Sequence, residues 1–419
     1  MKNLNFIFFI AGVLFVMSCG KKSTPAPAVI TVNSITPTSG SANTIVTITG
    51  TNFSTTAGDN TVKFNGVQAV VESATSTTIK AVVPLGAGTG PVSVATATLP
   101  VKTGPIFTYN LTLITTYFAG DGVYWQNGVQ ILLPRTGNLA VSRAILISGT
   151  DIYFAGSDAA GYYHPVYWKN GVENNLPITS NKGEVITSFI VGSDIYFAGY
   201  DGNAPAYWKN GVENLLPYSG AYALVNTMTI QGTDIYFAGY DGDDAVFWKN
   251  GTRNTLPATA KKASVTAMAI AGNDIYFGGT ETRVNTVSPI YRNIGVYWKN
   301  GIEYTLPSKS TYGAVSAMAL AGTDVYFAGT DGYASATVPV YWKNGVEVAL
   351  PKINKWGQIY NMVISGSDIY FMGYEVEPTF VGQVPVNIEK PVYWKNGKEY
   401  FLPIPIVDGG AYSMYLLYQ

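Results

Sequence analysis

The chain has 419 residues, 47% of them hydrophobic, with 45 glycines, 30 tyrosines and a formal net charge of -1. That length exceeds one small domain and supplies enough apolar mass for more than one core. Charged residues make up only 12% and form no basic block, which excludes an electrostatic footprint for nucleic acid.

The first residues have a basic start at Lys2, an apolar run from Phe6 to Met17 and then Ser18-Cys19-Gly20. This predicts an export signal over residues 1–18, too short for a membrane span. Val16-Met17-Ser18-Cys19 resembles a bacterial lipobox, which implies that Cys19 becomes the lipidated first residue and ties the protein to a membrane. A plain signal peptide with an incidental cysteine is the alternative. Cys19 is the only cysteine, so no intramolecular disulfide forms. Residues 19–27, "CGKKSTPAP", read as a flexible tether.

Residues 28–109 carry short alternating segments such as "VTITG" and "NTVKFNG", punctuated by glycine, asparagine and proline. This pattern predicts a small β-sandwich. "ITPTSGSANTIVTITGTNFS", "NTVKFNGVQAVV" and "IKAVVPLGAGTGPVSV" resemble an immunoglobulin-like IPT/TIG domain along its full length. The resemblance implies a spacer or binding module and no catalysis.

From residue 111 to 419 a repeat takes over. Trp-Lys-Asn-Gly begins at Trp168, Trp208, Trp248, Trp298, Trp342 and Trp394, with Trp125-Gln126-Asn127-Gly128 ahead of them, at spacings of 43, 40, 40, 50, 44 and 52 residues. Each unit divides into four strands. An apolar strand a leads through a glycine turn into strand b, "IYFAG"; strand c ends in "YW"; Asn-Gly then turns into strand d, which stops at proline. Periods of this size with four strands predict propeller blades. The first copy lacks strand a, and the chain ends on "AYSMYLLY", which matches strand a alone. The expected fold is therefore all-β: an N-terminal immunoglobulin-like sandwich plus a seven-bladed propeller closed by the C-terminal strand. The repeat is loosely similar to kelch, although the double glycine survives only at Gly278-Gly279.

Short a-b and c-d turns fall on one face, and the variable b-c and d-a loops on the other, where binding residues are expected. That face collects Tyr162, Tyr163, Tyr218, Tyr222, Tyr291, Tyr312, Tyr333 and Trp356, with His164 beside them. Aromatic rings next to polar loop groups suit sugars or exposed peptide. An acid follows each "YFAG"-type strand: Asp121, Asp158, Asp201, Asp241, Glu281, Asp331 and Glu375. Turn chemistry accounts for most of these, with Asp241, Asp243 and Asp244 a weak calcium site; otherwise no cofactor is expected. The repeated Asp151, Asp194, Asp234, Asp274, Asp324 and Asp368 read as turn residues.

One histidine and one cysteine leave no parts for a Ser-His-Asp or Cys-His arrangement or a zinc cluster, so no enzyme is expected. The whole resembles envelope lipoproteins of Bacteroidetes-type bacteria, which implies an outer-membrane lipoprotein that captures a polysaccharide or an extracellular protein. Lys21-Lys22 stand where an acidic surface-export signal would, leaving surface and periplasmic exposure both open. An envelope protein-protein scaffold is the alternative, and a propeller glycoside hydrolase or lyase a third.

Overall fold

A computed structural model describes residues 28–418 apart from 42, 85–86, 111–112, 138, 160–161, 261, 285–290, 311, 333–336, 355, 382–383 and 404–409. Cys19 with the rest of the export segment and tether, and Tyr333, lie outside the described residues. The described chain is all-β, with one 3-10 turn at Ala57–Asp59 and no α-helix. It divides between residues 112 and 113 into two compact units.

In the first unit, alternation decides which side chains go inside. Asn60–Phe64, "NTVKF", buries its first, third and fifth residues and exposes the others. Strands Thr31–Thr36, Ile45–Thr51, Thr78–Val82 and Val70–Ala74 form one sheet, and Ser39–Gly40, Lys102–Tyr109, Gly90–Thr96, Asn60–Phe64 and Val67–Gln68 the other. Val46, Ile48 and Ile79 from the first sheet meet Val62, Phe64, Val92 and Phe107 from the second in one core. Phe64 and Phe107 pack edge to face at 5.2 Å between centroids, the sandwich arrangement expected of aligned sheets.

The second unit contains seven four-stranded antiparallel sheets. The third shows the plan: Gly183–Val191, Asp194–Asp201, Ala204–Lys209 and Val212–Leu215, paired in chain order. The turn between the third and fourth strands has positive φ at both Asn210 (51°) and Gly211 (82°), as a type I′ hairpin requires. Asn210 Nδ2 also donates 2.8 Å to Asp194 Oδ1, and Lys209 Nζ lies 2.7 Å from Asp194 Oδ2. This cassette recurs at Asp151, Asp234, Asp274, Asp324 and Asp368, so the repeated aspartates tie the two turns together in six of the seven sheets.

Successive sheets pack through their first strands. Each repeat tryptophan is buried and donates its indole N–H to the carbonyl of the proline ending the preceding unit, as from Trp208 to Pro177 at 2.6 Å and from Trp248 to Pro217 at 2.7 Å. The proline that cannot extend a ladder thus supplies the acceptor for the next sheet. Trp125 does the same to Pro403 at 2.9 Å, across nearly the whole repeat region. In that first sheet, Leu113–Gly120 pairs with the C-terminal strand Ala411–Tyr418 in place of a preceding strand. Strands of both the seventh and the second sheets touch Ala411–Tyr418.

Candidate functional site

A bulge in each first strand creates the site. Between Ser142 and Ala144 the register against the second strand slips, leaving Arg143 without a cross-strand partner. The same slip occurs at Ile186, Asn226, Thr266, Ser316, Tyr360 and Tyr412. A bulge brings the two backbones close and re-aims the extra side chain. This explains the last glycine of "YFAG": a Cβ on Gly156 would lie 1.9 Å from Val141 O, and one on Gly373 would lie 1.7 Å from Gln358 O.

All seven bulge residues line one cavity of about 550 Å³, to which the first strand of every sheet contributes and the C-terminal strand does so for the first sheet. Around this wall the bulge residue runs Arg, Ile, Asn, Thr, Ser, Tyr, Tyr, whereas two positions further on methionine recurs at Met228, Met268, Met318, Met362 and Met414. Function-bearing variety therefore sits on the inner strands as well as in the loops.

The wall is polar and aromatic on one side. Arg143 Nε lies 2.5 Å from Glu184 Oε1 on the neighbouring sheet, and its guanidinium carbon sits 5.0 Å from the Tyr412 ring centroid. Burial works against the Arg143 charge, but Glu184 outweighs it and holds the guanidinium above its ordinary pKa. The Tyr200 hydroxyl is 3.5 Å from Glu184 Oε2, and burial together with that carboxylate pushes its phenol up to about 12. Tyr412 donates 2.9 Å to Asp121 Oδ2. Tyr360 packs between Tyr374 (5.5 Å) and Tyr412 (5.1 Å), and Tyr374 also meets Trp356 edge-on at 5.9 Å and Gln358 Oε1 at 3.2 Å. Burial raises the Tyr360 and Tyr412 phenols well above their usual range, so they remain neutral hydrogen-bonding groups at physiological pH.

Trp356 thus joins the aromatic group from its outer side. Tyr162, Tyr163, Tyr218, Tyr222 and Tyr291 are exposed, away from the cavity lining. Tyr222 packs edge-on against Tyr240 at 5.7 Å, and Tyr312 is half-buried, its carbonyl taking bonds from Ser308 and Ser310. His164 is held with Nδ1 3.3 Å from the Pro165 carbonyl. The loop readings named Trp356, which stands behind Tyr374 and off the cavity lining, and did not name Arg143, Glu184, Tyr200, Tyr360, Tyr374 and Tyr412.

Of the seven acids after the second strands, Asp121 holds the Tyr412 hydroxyl of the wall, and the others turn to the loops. Asp201 accepts the Thr179 N–H at 2.8 Å together with bonds from Ser180, and Glu375 accepts from Ile353 and Asn354, so these acids clamp the loop entering their own sheet. Asp241 takes Ser219 and Gly220 and is bridged by Arg253, which also reaches Asp244; no group of three potential metal-ligating side chains occurs among the described residues.

A second acid, opposite the repeat tryptophan on the fourth strand, completes each clamp: Glu173, Glu213, Glu303, Glu347 and Glu399, with Arg253 and Gln130 as the exceptions. Arg283 bridges Glu281 and Glu303, and Lys309 approaches Glu347. Glu213 Oε1, Glu375 Oε1 and Glu399 Oε1 are buried and receive no hydrogen bond from a standing donor among the described residues. A proton on Glu213 facing Asp201, and one on Glu399 facing Glu375, would supply one. Burial and then Asp201 push Glu213 from 4.5 up to about 7, while burial and Glu375 push Glu399 the same way.

An acid whose folded pKa is raised stabilises the fold fully below its unfolded pKa and loses that contribution as pH rises through the folded value. Stability should therefore decline between about pH 4.5 and pH 7 and level off above that. Glu213→Gln, which carries the proton permanently, should raise the melting temperature at pH 8 by roughly 2–4 °C and leave it nearly unchanged at about pH 4, below the unfolded carboxyl's pKa. Melting curves across that range check this; a variant with the parent's pH slope would refute the shared proton.

The family model for the IPT/TIG domain matches residues 31–113, the span of the two-sheet unit. The sandwich is an IPT/TIG domain. No curated protein matches the chain. Among solved structures, a Bacteroides thetaiotaomicron protein of unknown function is 11% identical with a TM-score of 0.44, covering 82% of this chain and 95% of its own. An auxiliary nutrient binding protein from the same species is 10% identical with a TM-score of 0.33 over the same shares. An ulvan lyase, a polysaccharide lyase, is 12% identical with a TM-score of 0.42, covering 70% and 86%. These likenesses are loose in superposition as well as in identity, and the site above stands on its own residues; the IPT/TIG domain contributes none of them.

Proposed function

We propose that this is a non-catalytic, lipid-anchored protein of the cell envelope, in which the IPT/TIG domain spaces a closed seven-bladed propeller whose axial cavity binds an extracellular glycan. The observation that carries the binding role is the set of seven bulge residues. Duplication copied the tryptophans, turn cassettes and loop clamps around the unit, yet the bulge position lining the cavity carries six residue types in seven sheets. Closure is supported by the pairing of Leu113–Gly120 with Ala411–Tyr418 and by the Trp125 to Pro403 bond. The anchor is supported by Val16-Met17-Ser18-Cys19.

A cavity of about 550 Å³ falls within the size of small-ligand sites. Tyr360 and Tyr412 on its wall, packed with Tyr374 and Arg143, offer ring edges for apolar contact, and Arg143 and Gln358 beside them offer bonds to hydroxyls. Retention of the full chain on a panel of immobilised polysaccharides tests this, with Tyr360→Ala alongside. The variant should keep its circular dichroism and lose at least about tenfold in affinity, the share of one well-placed contact. Equal retention of parent and variant on a bound glycan would move the site off the axis. The exposed Tyr162, Tyr163, Tyr218, Tyr222 and Tyr291 favour a second reading, a protein partner on the loops, which retention by no polysaccharide would bring forward.

A further inference from the structure

We infer that the axial cavity selects uncharged saccharides and turns acidic ones away, because Glu184 consumes the charge of Arg143; this rests on the glycan reading above. Arg143 is the only charged side chain among the described residues lining the cavity. Alone, a guanidinium on such a wall would be a receptor for carboxylate or sulfate.

It is not alone. Arg143 Nε is 2.5 Å from Glu184 Oε1; Glu184 is only 7% exposed, while the Arg143 side chain is 35% exposed, so water screens the pair from the arginine's side alone. On its other side Arg143 covers the ring of Tyr412, whose hydroxyl bonds to Asp121 at 2.9 Å. The field of Glu389 also reaches Tyr360, Tyr374 and Tyr412 and helps raise all three phenols. The one charged side chain on the wall is therefore already matched by the carboxylate of Glu184.

An incoming carboxylate would have to share Arg143 with Glu184, whose like charge lies beside the same guanidinium, and like-charge juxtaposition is a means of rejection. Hydroxyl groups meet no such barrier. The pair engages Nε, which leaves the terminal guanidinium nitrogens as donors, with the Gln358 amide and the tyrosine rings nearby. These groups suit a neutral polyol.

The test uses the full chain, detergent-solubilised, on immobilised neutral polysaccharides (a glucan, a mannan and a xylan) and acidic ones (polygalacturonate, alginate and chondroitin sulfate) at physiological ionic strength. The parent should hold at least one neutral polysaccharide about tenfold or more above every acidic one. Glu184→Gln keeps the size of the side chain while freeing the guanidinium charge, and should gain about tenfold on polygalacturonate, a gain that salt removes. The parent's own preference remains decisive should that variant fail to fold. A parent that holds an acidic polysaccharide above every neutral one overturns the inference and leaves the glycan reading standing. Retention from neither set, by parent or variant, overturns the glycan reading itself and this inference with it.

Discussion

Removal of residues 411–419 should convert a folded protein into one that aggregates or melts far below its parent. The strand Ala411–Tyr418 fills the place beside Leu113–Gly120 that the first strand fills in every other sheet. Its Ala411, Met414 and Leu416 are buried with Phe118, Trp125, Tyr370 and Met372. Truncating one such side chain costs roughly 2–5 kcal/mol, so losing the whole strand exceeds a net stability of about 5–15 kcal/mol. The deletion also bares the backbone edge of Leu113–Gly120, a template for pairing with another chain. Gel filtration and thermal melting decide the matter, and a monomer that melts like the parent would refute the proposed closure. Met414→Ala is the graded version, expected to lose roughly 2–5 kcal/mol while remaining soluble.

Much of this arrangement is legible in the sequence because its signals are local. Asn-Gly after each tryptophan sets a type I′ turn whatever surrounds it, and the unmatched "AYSMYLLY" announces a strand in need of a sheet. The site is harder to read, since its residues lie on strands. "SVTAMAIAG" looks like an unbroken run, yet the bulge at Thr266 shifts the facing of every residue beyond it, and a shift of one reverses inside and outside. The available signal was the last glycine of "YFAG", constant in all copies, which reads as turn chemistry unless the opposing backbone is known. Glu213 was hidden for a similar reason. A glutamate on an edge strand reads as solvated, and only the folded chain brings Asp201 beside it.

Gly156→Ala tests whether scaffold and site are the same device. The added Cβ would meet the Val141 carbonyl oxygen at 1.9 Å, a backbone contact that no rotamer relieves. The strand must move or the bulge must unwind, at a cost of roughly 1–3 kcal/mol or more. Unwinding would restore regular pairing around Ser142 and carry Arg143 off the cavity wall, taking it from Glu184. Glycan retention should therefore fall along with the melting temperature. Gly58→Ala is the control: its Cβ meets nothing within 4 Å, so the chain should melt within about 0.5 kcal/mol of the parent. If Gly156→Ala loses stability and binds unchanged, Arg143 is not a contact and the ligand lies elsewhere on the wall. If it loses neither, the strands can part at no cost, and the repeated glycine has some purpose other than the bulge.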